Sequence, residues 1–243
     1  MKSTAYKEMF ENELTHPWYI ATRKLMVNYL KINLKQNAKI LDAGCGTGGT
    51  MEFLKRAGFK RIYGIDNSTI AISYCKKRGL LKIKNASVDK IPFKSESFDA
   101  ILCMDVLYHK NVNFKKALSE FRRVLKKNGL LYIQEPAFNW IKGNHDLAIQ
   151  TKHRFTLSDI KSLTVNNGFN ILKISYFNTF SFIPIAIKRI LEKKSRKKYT
   201  SSDVASVSTF VKIFSTIVLS IESKLLRFIN LPIGLSIICI CKK

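Results

Sequence analysis

Between Lys39 and Pro136, short apolar runs are interleaved with helical stretches that stop at glycine, and this rhythm leaves few folds open. The runs Lys39–Asp42, Arg61–Asp66, Lys82–Ser87, Phe98–Met104 and Leu130–Glu135 read as strands. Gly48–Ala57 reads as a helix stopped by Gly58, Thr69–Lys77 as one stopped by Gly79, and Phe114–Lys126 as one ending at Gly129. Strand–helix–strand units of this kind build a parallel sheet that receives ligands beyond the carboxyl ends of its strands. Ahead of them, Trp18, Ile20, Leu25, Met26, Tyr29 and Leu30 recur at helical spacing, so residues 15–34 are expected to form an amphipathic helix capped by Thr15. After Pro136, Thr156–Asn167 reads as a helix, Phe169–Asn178 as a long strand, and SIICICKK as a last strand.

The first strand runs into LDAGCGTGGT, whose glycines satisfy G-x-G-x-x-G. That spacing serves dinucleotides and other adenosine ligands alike, because glycine lets the backbone approach a ligand closely. Asp66 closes the second strand 22 residues after Gly44, where a carboxylate accepts ribose hydroxyl hydrogens in either case. Asp42 separates the readings. At the mouth of the turn its charge would oppose a pyrophosphate but favour a ligand carrying an ammonium and a sulfonium.

From here the chain resembles the class I S-adenosylmethionine-dependent methyltransferases, of the methyltransferase type 11 kind. ILDAGCGTG is similar to their first motif, YGIDNS to the ribose-binding acidic motif, IPFKSESFDAILCMDVLYH to the stretch through the fourth strand, and FRRVLKKNGLLYIQEP to the turn into strand five. The resemblance implies a Rossmann-like, doubly wound α/β fold with a seven-stranded, mostly parallel sheet whose last strand is antiparallel. It also implies S-adenosylmethionine as cofactor. A single domain is expected: an N-terminal helical segment 1–37, a cofactor-binding core 38–178, a helical cap insertion 179–231 and a terminal strand 232–243. The resemblance assigns the cofactor to Asp42, Gly44, Cys45, Gly46 and Gly48 of the turn, Asp66 and Asn67 after strand two, Ser87 and Val88 after strand three, and Asp105 after strand four. Ser87 stands where the family often has an acid for the adenine amino group. In Lys126-Lys127-Asn128-Gly129, an asparagine tolerant of left-handed backbone replaces one glycine of the family's turn.

Methyl transfer from a sulfonium is an in-line displacement, so positioning carries much of the catalysis. A hydroxyl nucleophile must also lose its proton, and histidine suits that task near neutral pH. His109 follows strand four, and His145 and His153 follow strand five, which makes these three the candidate catalytic residues. His145 is favoured, because Asp146 beside it could orient the imidazole. FNWIKGNHDLAIQTKHRFT further resembles a subset of these enzymes, several encoded beside glycan- and lipid-assembly functions, which implies Trp140, His145, His153 and Arg154 as substrate-side residues; Tyr108, next to His109, is a further substrate-binding candidate. The histidine spacing matches no closed zinc pattern, and no metal is expected. The leading expectation is O-methylation of a sugar, a lipid-linked glycan or another small metabolite. C-methylation of a polyprenylated quinone-type ring is the alternative, and a non-catalytic adenosylmethionine-binding module or a dinucleotide oxidoreductase are the readings of other classes.

Charge bears on partners. The formal net charge is +25, but ten of the 42 basic residues are arginine and the lysines are spread along the chain, as on a solvated surface. The dense block Lys188-Arg189 with Lys193–Lys198 lies beside apolar runs and not among stacking aromatics. It therefore points to peripheral contact with an anionic membrane and away from nucleic acid. Cys45, Cys75, Cys103, Cys239 and Cys241 sit mostly in apolar runs and read as reduced core residues. With no apolar signal in MKSTAYKEMFENEL, the expected location is cytoplasmic, or peripheral at the inner face of a membrane.

Overall fold

A computed structural model of the chain describes residues 3–143, 146, 151–194 and 209–243. Among these, seven strands form one sheet: β1 Lys39–Ala43, β2 Arg61–Asp66, β3 Ile83–Asn85, β4 Phe98–Met104, β5 Leu125–Pro136, β6 Asn170–Phe177 and β7 Ser236–Lys242. Their order is β3-β2-β1-β4-β5-β7-β6. β1 pairs in parallel with β2 and β4, while β7 runs antiparallel between β5 and β6, as the resemblance implied.

Both faces of the sheet are covered, and alternate residues go to opposite sides. Leu41, Ile101, Cys103, Ile133, Ile237 and Cys239 join a core with Phe121 of α5 (Phe114–Val124) and Ile160 of α6 (Leu157–Asn166). Ile40, Leu102, Tyr132, Ile238 and Ile240 join the other core with Leu25, Met26 and Leu30 of α2 (Pro17–Asn33). Strands buried on both sides must be apolar at nearly every position, which is why SIICIC could be read as a strand from its composition. All five cysteines are buried and free.

The remaining described helices are α1 Ser3–Asn12, α3 Gly49–Arg56, α4 Thr69–Lys77, α7 Phe182–Lys194 and α8 Thr209–Leu225, with a 3₁₀ turn at Asn139–Ile141. α8 packs on α2, and the Tyr29 hydroxyl donates to the Leu226 carbonyl at 3.1 Å. Two local expectations are corrected. α2 begins at Pro17, with His16 rather than Thr15 as its cap, because the imidazole Nδ1 accepts from Trp18 N–H. α1 lies within the N-terminal helical segment expected over 1–37. β5 starts at Leu125, five residues early, because Leu125 already pairs with Phe98. A register shift then absorbs the Lys126–Gly129 segment inside the strand, with Asn128 at φ 61°.

Candidate active site

The carboxyl ends of β1, β2 and β4 open onto a cavity of about 680 Å³. β1 must turn sharply there, and the turn is anchored to its neighbour: Gly44 and Cys45 N–H both donate to the Ile65 carbonyl, at 2.8 and 2.9 Å. Gly44 has φ 88°, and a Cβ on it would lie 2.3 Å from Val106 Cγ2, so only glycine fits between the turn and the loop after β4. Gly46 N–H donates to Asp66 Oδ2 at 2.9 Å, and Ser68 N–H donates to Asp66 Oδ1 at 2.9 Å. Asp66 is thereby held at the end of β2, facing the cavity. Burial raises its pKa despite those two N–H bonds.

Of the residues assigned to the cofactor, Gly44, Cys45, Gly46, Asp66, Asn67, Ser87, Val88 and Asp105 all line this cavity. Gly48 is not among the lining residues. It caps α3 in the left-handed region, and a Cβ there would strike Leu80 of the segment after α4. Asp42 also stands behind the wall, almost fully buried, with Oδ2 lacking any hydrogen-bond partner. Burial, opposed by Arg23 and reinforced by Glu13 and Asp66, pushes its carboxyl up to about 7. The Ser87 hydroxyl accepts from Asp89 N–H at 3.2 Å.

Asp105 sits at φ 56° just after β4, a left-handed conformation uncommon outside glycine. Gln134 Nε2 donates to it at 3.2 Å, and burial raises its carboxyl to about 7 against the pull of Gln134, Arg154 and Arg23. The loop that follows is held from below by Glu135, at the end of β5. The Glu135 carboxylate accepts from the N–H groups of Val106 at 3.1 Å, Leu107 at 2.8 Å and Tyr108 at 3.1 Å. Burial raises its pKa, the Asp105 charge adds to this, and the three N–H bonds oppose it. Glu135 thus fixes where Tyr108 and His109 stand, and both line the cavity.

The candidate histidines part company. His109 is at the cavity wall, its backbone bridged to Thr151 of the segment after β5. His145 lies outside the described residues. His153 is absent from the described lining: its Nδ1 meets Asn139 Nδ2 at 3.2 Å and its Nε2 lies 3.7 Å from Asp159, with Phe114 and Phe155 against the ring. The expected service of Asp146 to the His145 imidazole falls on a residue outside the described ones. Arg154 donates to both Asp146 oxygens, Nε to Oδ1 at 2.7 Å and Nη2 to Oδ2 at 3.1 Å, while Gly143 N–H donates to Oδ2 at 2.8 Å. Burial would raise the Asp146 pKa, but Arg154 brings it below the ordinary value. Asp146 and Arg154 reach the cavity as this ion pair. Trp140 is half-exposed, stands against Phe138 and Phe182, and is not a lining residue.

The N-terminal helices bring residues that the sequence did not flag. Tyr6, Met9, Glu13, Tyr19 and Arg23 line the same cavity. Buried Glu13 accepts from Arg23 Nη2 at 2.5 Å, from Arg78 Nη2 at 3.0 Å and from the Thr47 hydroxyl, tying α1 and α2 to the glycine turn. The available signal was Arg23, a charge standing between apolar residues on the buried face of α2. Among the described residues no cluster of His, Cys, Asp and Glu could hold a metal.

These residues suit S-adenosylmethionine: Asp66 for the ribose hydroxyls, the glycine backbone for close approach, and the carboxyls of buried Asp42 and partly buried Asp105 for a cationic ligand. The comparisons with known proteins agree. Residues 41–133 match the family described as Methyltransferase domain. An uncharacterized protein of Methanocaldococcus jannaschii is 35% identical over 168 residues, 65% of each chain. The ubiquinone/menaquinone biosynthesis C-methyltransferase UbiE of Campylobacter jejuni is 32% identical over 120 residues, 46% of this chain and 51% of its own. The chain thus matches between about half and two thirds of the length of these relatives. The fold is that of a solved putative sarcosine dimethylglycine methyltransferase from Galdieria sulphuraria, with TM-score 0.61, 20% identity, and 93% of this chain and 86% of that one covered. The sheet order, the glycine turn held by Asp66 and these matches support a class I S-adenosylmethionine-dependent methyltransferase, with residues 41–133 carrying the methyltransferase domain match.

Proposed function

We propose that this chain transfers the methyl group of S-adenosylmethionine to a hydroxyl of a sugar, a lipid-linked glycan or another small metabolite held at the His109 end of the cavity. The cofactor supplies an electrophilic methyl on a sulfonium. Asp66 binds the ribose hydroxyls, Asp42 from behind the wall and Asp105 at it favour the cofactor's positive charge, and His109 takes the acceptor's proton. The observation that carries the reading is the placement of His109 and Tyr108 on a loop pinned by Glu135, in one cavity with the glycine turn. On this reading residues 179–231 cap the acceptor side, which Ile185 and Arg189 of α7 and Ser215 and Leu219 of α8 line. The Arg154–Asp146 pair then borders the acceptor.

A second reading, C-methylation of a polyprenylated quinone-type ring, is favoured by the similarity to a quinone C-methyltransferase over 46% of the chain. Incubation with methyl-labelled S-adenosylmethionine and fractionated glycan, lipid and quinone pools tests both. An alkali-stable O-methyl ether on a sugar or lipid supports the first, and a ring C-methyl product replaces it with the second. Tight cofactor binding with no labelled product from any pool would leave a non-catalytic binding module.

A further inference from the structure

α7 and α8 each turn one face to the cavity and bury it, yet their opposite faces are apolar and exposed. On α7 and two residues before it, Phe180, Ile183, Ile187 and Leu191 follow one another at helical spacing and are 59%, 67%, 54% and 60% exposed. Phe182, Ala186 and Arg189, between them, are buried. Phe214, Ile217, Ile221 and Leu225 make the same pattern on α8, with Phe228 just beyond at 85% exposed, while Leu219, Glu222 and Leu226 are buried. Single exposed aliphatic side chains need no explanation, but two stripes on the two described helices of one insertion do.

We propose that the outward faces of α7 and α8 dock the protein peripherally on an anionic lipid bilayer. Charge selects this occupant. Residues 179–231 hold ten Lys and Arg against three Asp and Glu, and one of those acids, Glu222, is buried. Exposed Lys188 stands beside Ile187, and exposed Lys224 and Arg227 flank Leu225 and Phe228. Aliphatic and phenylalanine side chains on one face with lysines at its border match the headgroup boundary, where the stripe enters the acyl region and the cations meet lipid phosphates. Among the described residues no helix is long and apolar enough to cross a membrane, so the contact lies in the plane of the surface. The inward faces of the same helices line the cavity, and docking therefore sets the acceptor side of the cavity next to the lipid. The docking itself is independent of which acceptor is methylated.

The test uses the full chain with vesicles of phosphatidylcholine alone or mixed with phosphatidylglycerol, at low and high salt. Sedimentation with the anionic vesicles should exceed that with neutral ones by about tenfold and fall as salt is raised. The double variant Ile187→Asp/Phe214→Asp should lose at least about tenfold in vesicle affinity while binding S-adenosylmethionine as before. Should that variant fail to fold, Ile187→Cys carrying an environment-sensitive dye reads the same contact, since every native cysteine is buried; a blue shift on anionic vesicles is expected. Equal binding to both vesicle types, unchanged affinity of the double variant, or no dye shift overturns the proposal. So does a dimer by sedimentation velocity that the double variant dissolves, since a second copy would then cover the stripes.

Discussion

Asp42→Asn should stabilise the protein without ligand and weaken its hold on the cofactor. Asp42 is almost wholly buried and its Oδ2 has no partner, so the folded state retains a proton that the unfolded chain releases. Stability therefore falls as pH rises from about 4, the ordinary carboxylate value, to about 7, where the folded carboxyl ionises, and the loss persists above that. At about 1.4 kcal/mol for each pH unit of that window, the charge costs the empty fold roughly 4 kcal/mol at about pH 8. Asparagine keeps the shape and removes the charge. Its amide N–H groups recover only part of the benefit, so a gain of ~2–4 kcal/mol is expected at about pH 8 and little change at about pH 4. Binding moves the other way. A cationic cofactor favours the ionised Asp42, so wild-type affinity should rise between about pH 5 and 7, by up to about tenfold per pH unit for each proton released. Asp105 titrates in the same range, so the variant should lose one proton of that slope and keep the other. Urea unfolding at the two pH values and calorimetry across the range read both effects. A variant less stable than wild type at about pH 8, or one that keeps the full slope, would refute the reasoning.

Asp66→Ala should weaken S-adenosylmethionine binding by ~2–3 kcal/mol by removing charge-assisted bonds to the ribose, and calorimetry showing equal affinity would contradict the assignment. Glu135→Ala should destabilise the fold by about 3 kcal/mol or more, because three backbone N–H groups lose their acceptor in a buried place; chemical unfolding measures it. His109→Ala should reduce turnover of a hydroxyl acceptor by about 10²–10⁴ with cofactor affinity retained, whereas His153→Ala should leave turnover unchanged. Full turnover in His109→Ala would remove histidine 109 as the base and return attention to His145.

The cofactor side of the cavity was legible in the chain because it is built from local geometry. Gly44 and Gly46 lie in the turn that leaves β1, and Asp66 ends β2, so reading where strands stop amounts to reading what faces the ligand. The last strand was legible for a similar reason, since a strand buried on both faces must be apolar throughout and Ile237–Cys241 is, whereas its antiparallel direction came from the resemblance. Contacts between distant segments carry no such pattern. Glu13 reaches Arg23, Arg78 and Thr47 across up to 65 positions, and Glu135 holds N–H groups 27 to 29 positions away, so nothing beside either acid in the chain announces its role. The histidines show the same limit. Three follow strand ends, yet among the described residues only the pairing of the segments after β4 and β5 decides that His109 reaches the cavity while His153 turns to Asn139 and Asp159. The partner of Asp146 among the described residues is another case: Arg154, eight positions on, reaches both of its oxygens as a bidentate guanidinium, which adjacency in the chain does not announce.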